Sequence, residues 1–67
     1  MVSGSRIRNI RKALGMSQAA LADRVGVTQS HISELENNQN SPSAVLLQKL
    51  ADVLDVPVDA LFGRGEK

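Results

Sequence analysis

Apolar residues recur along the chain at helical spacing, in short runs separated by Gly, Ser, Thr, Asn and Pro. Ile7, Ile10 and Leu14 form one stripe, which predicts a first helix from about Gly4 to Leu14. Gly15, which tolerates a left-handed conformation, closes it. Ser17 is a good N-cap for a second helix through Val25, with Leu21, Ala22 and Val25 facing inward and Gly26 ending it. Thr28 caps a third helix through about Asn37, seated by Ile32 and Leu35. The polar stretch from Asn37 to Pro42 reads as a turn, with Asn38 as its left-handed residue. Ser43 then caps a fourth helix to Leu54, whose core face is Leu47, Leu50, Ala51 and Leu54. Pro57 sets up a last short helix, Val58 to Phe62, and residues 63–67 read as a frayed tail. Nothing reads as a strand. The pattern therefore predicts an all-α, five-helix unit: a single domain over 1–67, with its core at about 5–62.

Composition fits that reading. The 67 residues include one Phe, one His and no Cys, Trp or Tyr, so the core is aliphatic and neither disulfides nor a Cys-based zinc site can staple it. A domain this small buries only about 60% of its unfolded surface, so its stability is modest. No apolar run approaches the roughly 20 residues needed to span a bilayer, and the first residues lack the apolar stretch of a secretory signal. A cytoplasmic protein without membrane contact is expected. The formal net charge is only +1. It is unevenly spread: residues 1–30 sum to +4 and the remainder to −3, a polarity that would orient the domain on a polyanion.

The segment from Gln18 to Leu35 carries the functional signal: a helix, a tight turn at Gly26, and a second helix. Ala22 is small where the two axes would cross closely, and Gly26 accepts positive φ at little cost. Val25 and Val27 plug the angle between the helices.

Together with Arg6-Ile7-Arg8, Arg11-Lys12, Gly15-Met16-Ser17-Gln18, Leu21-Ala22, Gly26-Val27-Thr28-Gln29-Ser30-His31-Ile32-Ser33, Glu36, Pro42-Ser43, Leu47, Leu50-Ala51, Leu54, Val56 and Leu61-Phe62, the chain resembles the lambda-repressor-like (XRE) family. That family of helix-turn-helix DNA-binding domains includes the phage Cro proteins, and the likeness runs from about Ser5 to Phe62. It implies a bacterial or phage-encoded regulator of transcription whose third helix enters the major groove of double-stranded DNA. Such a protein is nucleoid-associated when bound.

Helix geometry assigns the faces. With Ile32 and Leu35 buried, Ser30, Ser33, Glu34 and Asn37 point outward, and Gln29 lies at the flank of the first turn. Gln29, Ser30, Ser33 and Glu34 are thus the candidates for base edges, to which Gln, Ser and Glu are suited. Phosphate contacts fall to Ser17, Gln18, Thr28, His31, Asn38, Asn40 and Arg11 at helix ends and in the following loop. In the family the residue matching Gln18 touches the DNA backbone and buttresses the residue matching Gln29. The third helix carries no Lys or Arg, so charge contributes unusually little there. His31 has no second His or Cys to share a metal, and no metal or cofactor is expected.

Arg11 falls beside the first stripe and Glu36 beside Ile32 and Leu35. Each is a charge next to a core face, where a mutual bidentate pair is the economical arrangement; the resemblance implies the same pair. On the fourth helix Val45, Leu46 and Val53 lie outside the assigned core face. With Val56 and Val58, they suggest a surface for a homodimer on a pseudo-palindromic operator, with Leu46, Val53, Val56 and Val58 as the dimer candidates. A repressor is the leading reading; a controller-type activator, an antitoxin-type autoregulator, or an interaction module that has lost DNA binding remain open. There is no room for an effector domain, so no small-molecule effector is expected. An enzyme is not expected: there is no Cys, no Tyr, no Gly-rich phosphate loop at a strand, and no triad partner for His31.

Overall fold

The computed structural model describes residues 1–63. Four α-helices follow in order, α1 (Gly4–Ala13), α2 (Gln18–Val25), α3 (Gln29–Glu36) and α4 (Ala44–Leu54), and a 3₁₀ turn spans Val58–Leu61. Each α-helix begins at a hydroxyl that takes one of its orphan N–H groups. Ser3 accepts from Arg6, Ser17 from Ala20, Thr28 from His31 and Ser43 from Leu46, at 3.0–3.3 Å. The chain turns between helices on left-handed residues: Gly15 (φ 71°), Gly26 (φ 81°), Asn38 (φ 60°) and Asp55 (φ 58°). At the critical corner, the N–H groups of Gly26 and Val27 both return to the Ala22 carbonyl.

Ile7, Leu21, Ile32, Leu50, Leu54 and Leu61 form a fully buried centre, closed by Ala22, Val25, Leu35 and Ala51. α2 packs on α3 and α4, α1 on α3, and the 3₁₀ turn on α1 and α4. The helix-turn-helix is thus held rigid from behind by the other elements.

The structure departs from the sequence pattern in four places. Leu14 is the C-cap of α1, beyond the last helical residue, and is 51% exposed; the buried face of α1 is Gly4, Ile7 and Arg11. Leu46, expected on the surface and as a dimer residue, is only 8% exposed. The buried face of α4 runs Leu46, Leu50, Leu54 with Ala51, a clean i, i+4, i+8 row, and Leu47 sits at its edge. The last helix is a 3₁₀ turn that stops at Leu61, because Phe62 is extended (φ −97°, ψ 137°) and forms an isolated antiparallel bridge with Val2. Finally, residues 1–3 are tied to the body: Ser3 N–H donates to Leu61 O at 2.8 Å, and Gly63 N–H to Met1 O at 3.1 Å. The expected tail beyond Gly63 lies outside the described residues.

Candidate nucleic-acid interface

α3 presents its first turn outward. Gln29 and Ser30 are exposed, and Ser33 and Glu34, one turn on, are half-buried. Thr28 and Ser17 are exposed as well, but their hydroxyls are already engaged as caps. Asn37 is exposed and its side-chain oxygen accepts from Arg8 Nη2 at 2.9 Å.

Behind this surface a polar relay runs from the core to Gln29. The Arg11 guanidinium meets the Glu36 carboxylate edge to edge, Nε to Oε2 at 2.6 Å and Nη2 to Oε1 at 3.0 Å. Both residues are buried, at 6% and 2% exposure. Arg11 Nη1 also donates to the Met16 carbonyl at 2.8 Å, which ties the α1–α2 turn to the same centre. Gln18 Nε2 donates to Glu36 Oε1 at 3.0 Å, and Gln18 Oε1 in turn accepts from Gln29 Nε2 at 3.5 Å. Arg8 completes the shell, with Nε 3.7 Å from Glu36 Oε1 and Nη2 donating to the Glu36 carbonyl at 3.3 Å. Burial alone would raise the Glu36 carboxyl. The hydrogen bonds from Arg11 and Gln18 and the charges of Arg11 and Arg8 outweigh it and hold the group below its ordinary value. Glu36 is therefore ionised at neutral pH, and the relay is anchored on a fixed acceptor.

The other candidates are less tightly gathered. Glu34 accepts from Asn40 Nδ2 at 2.5 Å, and its Oε1 lies 3.9 Å from His31 Nδ1, so the three share one side of α3. Asn38 is engaged within the fold: its N–H returns to Leu35 O, and its Oδ1 accepts from Gly4 N at 2.9 Å. Its neighbour Gln39 likewise spends its N–H on Glu34 O. Of the dimer candidates, Val53, Val56 and Val58 are half-buried against the core, whereas Leu46 belongs to the core itself. Val45 of α4 is 67% exposed. Among the described residues, no group of three His, Cys, Asp or Glu side chains is placed to hold a metal ion. None of their helices is long and apolar enough to cross a membrane.

Two contributors carry no sequence signal that singles them out. Arg8 closes the α3 C-terminus, yet it reads as one more basic residue of α1. Gly4 packs directly on the last turn of α3, yet in the sequence it is only a helix start.

Residues 7–61 match the model of the helix-turn-helix family, and the chain belongs to that family. It is a family of DNA-binding transcriptional regulators of the lambda-repressor-like kind, not of enzymes. The chain is similar to the transcriptional regulator SinR of Bacillus subtilis (strain 168), 44% identical over 60 residues, which is 88% of this chain and 54% of SinR. The P22 c2 repressor, in its crystal structure with a synthetic operator, superposes with a TM-score of 0.88 at 36% identity, covering 98% of each chain. The restriction-modification controller protein C.AhdI from Aeromonas hydrophila gives a TM-score of 0.84 at 39% identity, over 88% of this chain and 89% of that one. The chain spans between about half and three-fifths of the length of the curated relatives it matches first.

Proposed function

We propose that this domain binds double-stranded DNA sequence-specifically and regulates transcription as a repressor, pairing with a second copy on a pseudo-palindromic operator. The observation that carries the reading is the placement of Gln29 and Ser30 on the open first turn of α3, with Gln29 braced by Gln18 of α2. A helix so presented fits the major groove, and its first-turn polar side chains reach base edges while the start of α2 approaches a phosphate. The P22 c2 repressor, similar in fold, is bound to a synthetic operator in its crystal structure, which supports double-stranded DNA as the partner. Gln29, Ser30, Ser33 and Glu34 would face bases; Ser17, Gln18, Thr28, His31 and Asn40 would line the backbone, with Asn38 and Arg11 acting mainly within the fold. Val45, Val53, Val56 and Val58 would form the two-fold contact. Such a domain would work in the cytoplasm, on the nucleoid.

Selection of bound duplexes from a random pool tests the proposal. A recovered pseudo-palindrome supports a sequence-reading dimer. Uniform, purely salt-dependent binding would contradict sequence reading; no binding at all would favour an interaction module, the reading suggested by the lack of Lys and Arg in α3.

A further inference from the structure

The side chains linking core to surface are ordered by what each can donate. An ionised carboxylate only accepts, and Glu36 is held by two Arg11 donors. The Gln18 group lying 3.0 Å from Glu36 Oε1 must therefore be its NH2, which settles an amide orientation that is ambiguous for a Gln in isolation. The Gln18 carbonyl is thereby turned from Glu36 toward Gln29, and the Gln29 group it meets must be a donor too. The Glu36 end fixes the order of the Gln18 amide, and the 3.5 Å contact passes that order on to Gln29. Gln29 then has one N–H and its carbonyl oxygen left for whatever lies beyond. The major-groove edge of adenine, one acceptor and one donor, takes that pair. Guanine offers two acceptors and would set its O6 against the Gln29 carbonyl.

We infer that Glu36, which has no exposed side-chain surface, is a positioning residue that fixes the donor–acceptor order of Gln29 through Gln18 and so sets adenine over guanine at one base position per half-site. The inference rests on the reading that α3 enters the major groove. It also says what reversal would do. In the double variant Arg11→Met with Glu36→Gln both Arg11 donors are gone, so the new amide can offer either its oxygen or its NH2 to Gln18. In the second orientation Gln18 flips, Gln29 turns its carbonyl inward, and two N–H groups face the DNA, the pattern that guanine accepts.

The test titrates wild type and the Arg11→Met/Glu36→Gln double variant against an operator recovered by selection, and against the same operator with each adenine changed in turn to guanine. Wild type should lose roughly tenfold or more at one position per half-site. The Arg11→Met/Glu36→Gln variant should approach parity there, and there alone. If that variant folds and keeps the wild-type ratio, the inference is overturned. Should that variant not fold, Arg11→Met with Glu36→Leu leaves no buried charge and frees the Gln18 amide, and parity at the same position is expected. Nitrogen NMR of the free protein supplies an arm without DNA: the Gln18 side-chain NH2 signals should follow the acid titration of Glu36. Insensitive Gln18 signals overturn the ordered relay. Responsive signals in a chain that selects no duplex overturn the DNA reading, and the base choice with it.

Discussion

Gly4 is seated so close to Glu36 that a Cβ on Gly4 would collide with the Glu36 backbone carbonyl, and with that of Leu35 beside it. The start of α1 thus faces the end of α3, and Gly4 N–H is tied to Asn38 just beyond. The colliding atoms are backbone, so no rotamer change relieves them. Ala ordinarily stabilises a helix position relative to Gly by up to about 1 kcal/mol. Here Gly4→Ala should instead destabilise by about 1–3 kcal/mol, the usual cost of overpacking, as read from urea denaturation. A stabilised variant would show that the two helix ends are not in contact.

Arg11 and Glu36 form a pair in which each partner neutralises a charge the core would otherwise reject. Glu36→Leu strands the Arg11 ion beside the core and should cost about 3–5 kcal/mol, whereas Arg11→Met leaves Glu36 with Arg8 and Gln18 and should cost less. The double variant should recover most of the loss, and additive losses in the three denaturation curves would count against the pair.

Acid should weaken the fold through the same group. The folded-state value of Glu36 lies below the ordinary 4.5, so its contribution is fully present above that value and disappears as pH falls through the lowered one. Comparing denaturation at neutral and acid pH, wild type should lose more stability than the Arg11→Met/Glu36→Leu double variant. Equal acid sensitivity would mean that Glu36 is not held ionised by its partners.

The surface offered for pairing excludes Leu46. Leu46→Ala should cost the folded monomer about 2–5 kcal/mol, as for any core Leu. Val53→Lys with Val58→Lys replaces half-buried aliphatics whose long substitutes can carry their charge out to water. That double variant should stay folded but sediment as a monomer and bind the operator more weakly. Unchanged sedimentation and unchanged affinity would place the two-fold contact elsewhere.

The helix-turn-helix was legible because its determinants are local. Caps at Ser17, Thr28 and Ser43, the left-handed positions of Gly15, Gly26 and Asn38, and the buried pairs Leu21–Val25 and Ile32–Leu35 all follow from spacing and residue type. On α4 the spacing gives Leu50, Ala51 and Leu54 correctly but not the choice of Leu46 over Leu47, since the two are adjacent, equally apolar, and both compatible with Leu50 and Leu54. Only the packing of α4 chooses between them. Non-local ties left no trace in the pattern: the Val2–Phe62 bridge, the seat of Gly4, and Arg8 over the end of α3 join residues far apart in sequence. At the candidate site the residue types, the Arg11–Glu36 pair and, through the resemblance, the contact of Gln18 with Gln29 are readable from the sequence. The hydrogen bond from Gln18 to Glu36 that joins them is not, because it depends on how α2 and α3 pack.

The central claim is that α3 reads base edges while other contacts only position the domain. The most direct measurement is the affinity of Gln29→Ala for the selected operator and for a scrambled duplex of the same length, at two salt concentrations. Removing a good bidentate base contact should cost about 1–3 kcal/mol on the operator and little on the scrambled duplex, with the salt slope unchanged. Gln18→Ala, which touches both roles, should weaken both duplexes and lower their ratio as well. If Gln29→Ala reduced binding to operator and scrambled duplex by the same factor, α3 would not be the reading element.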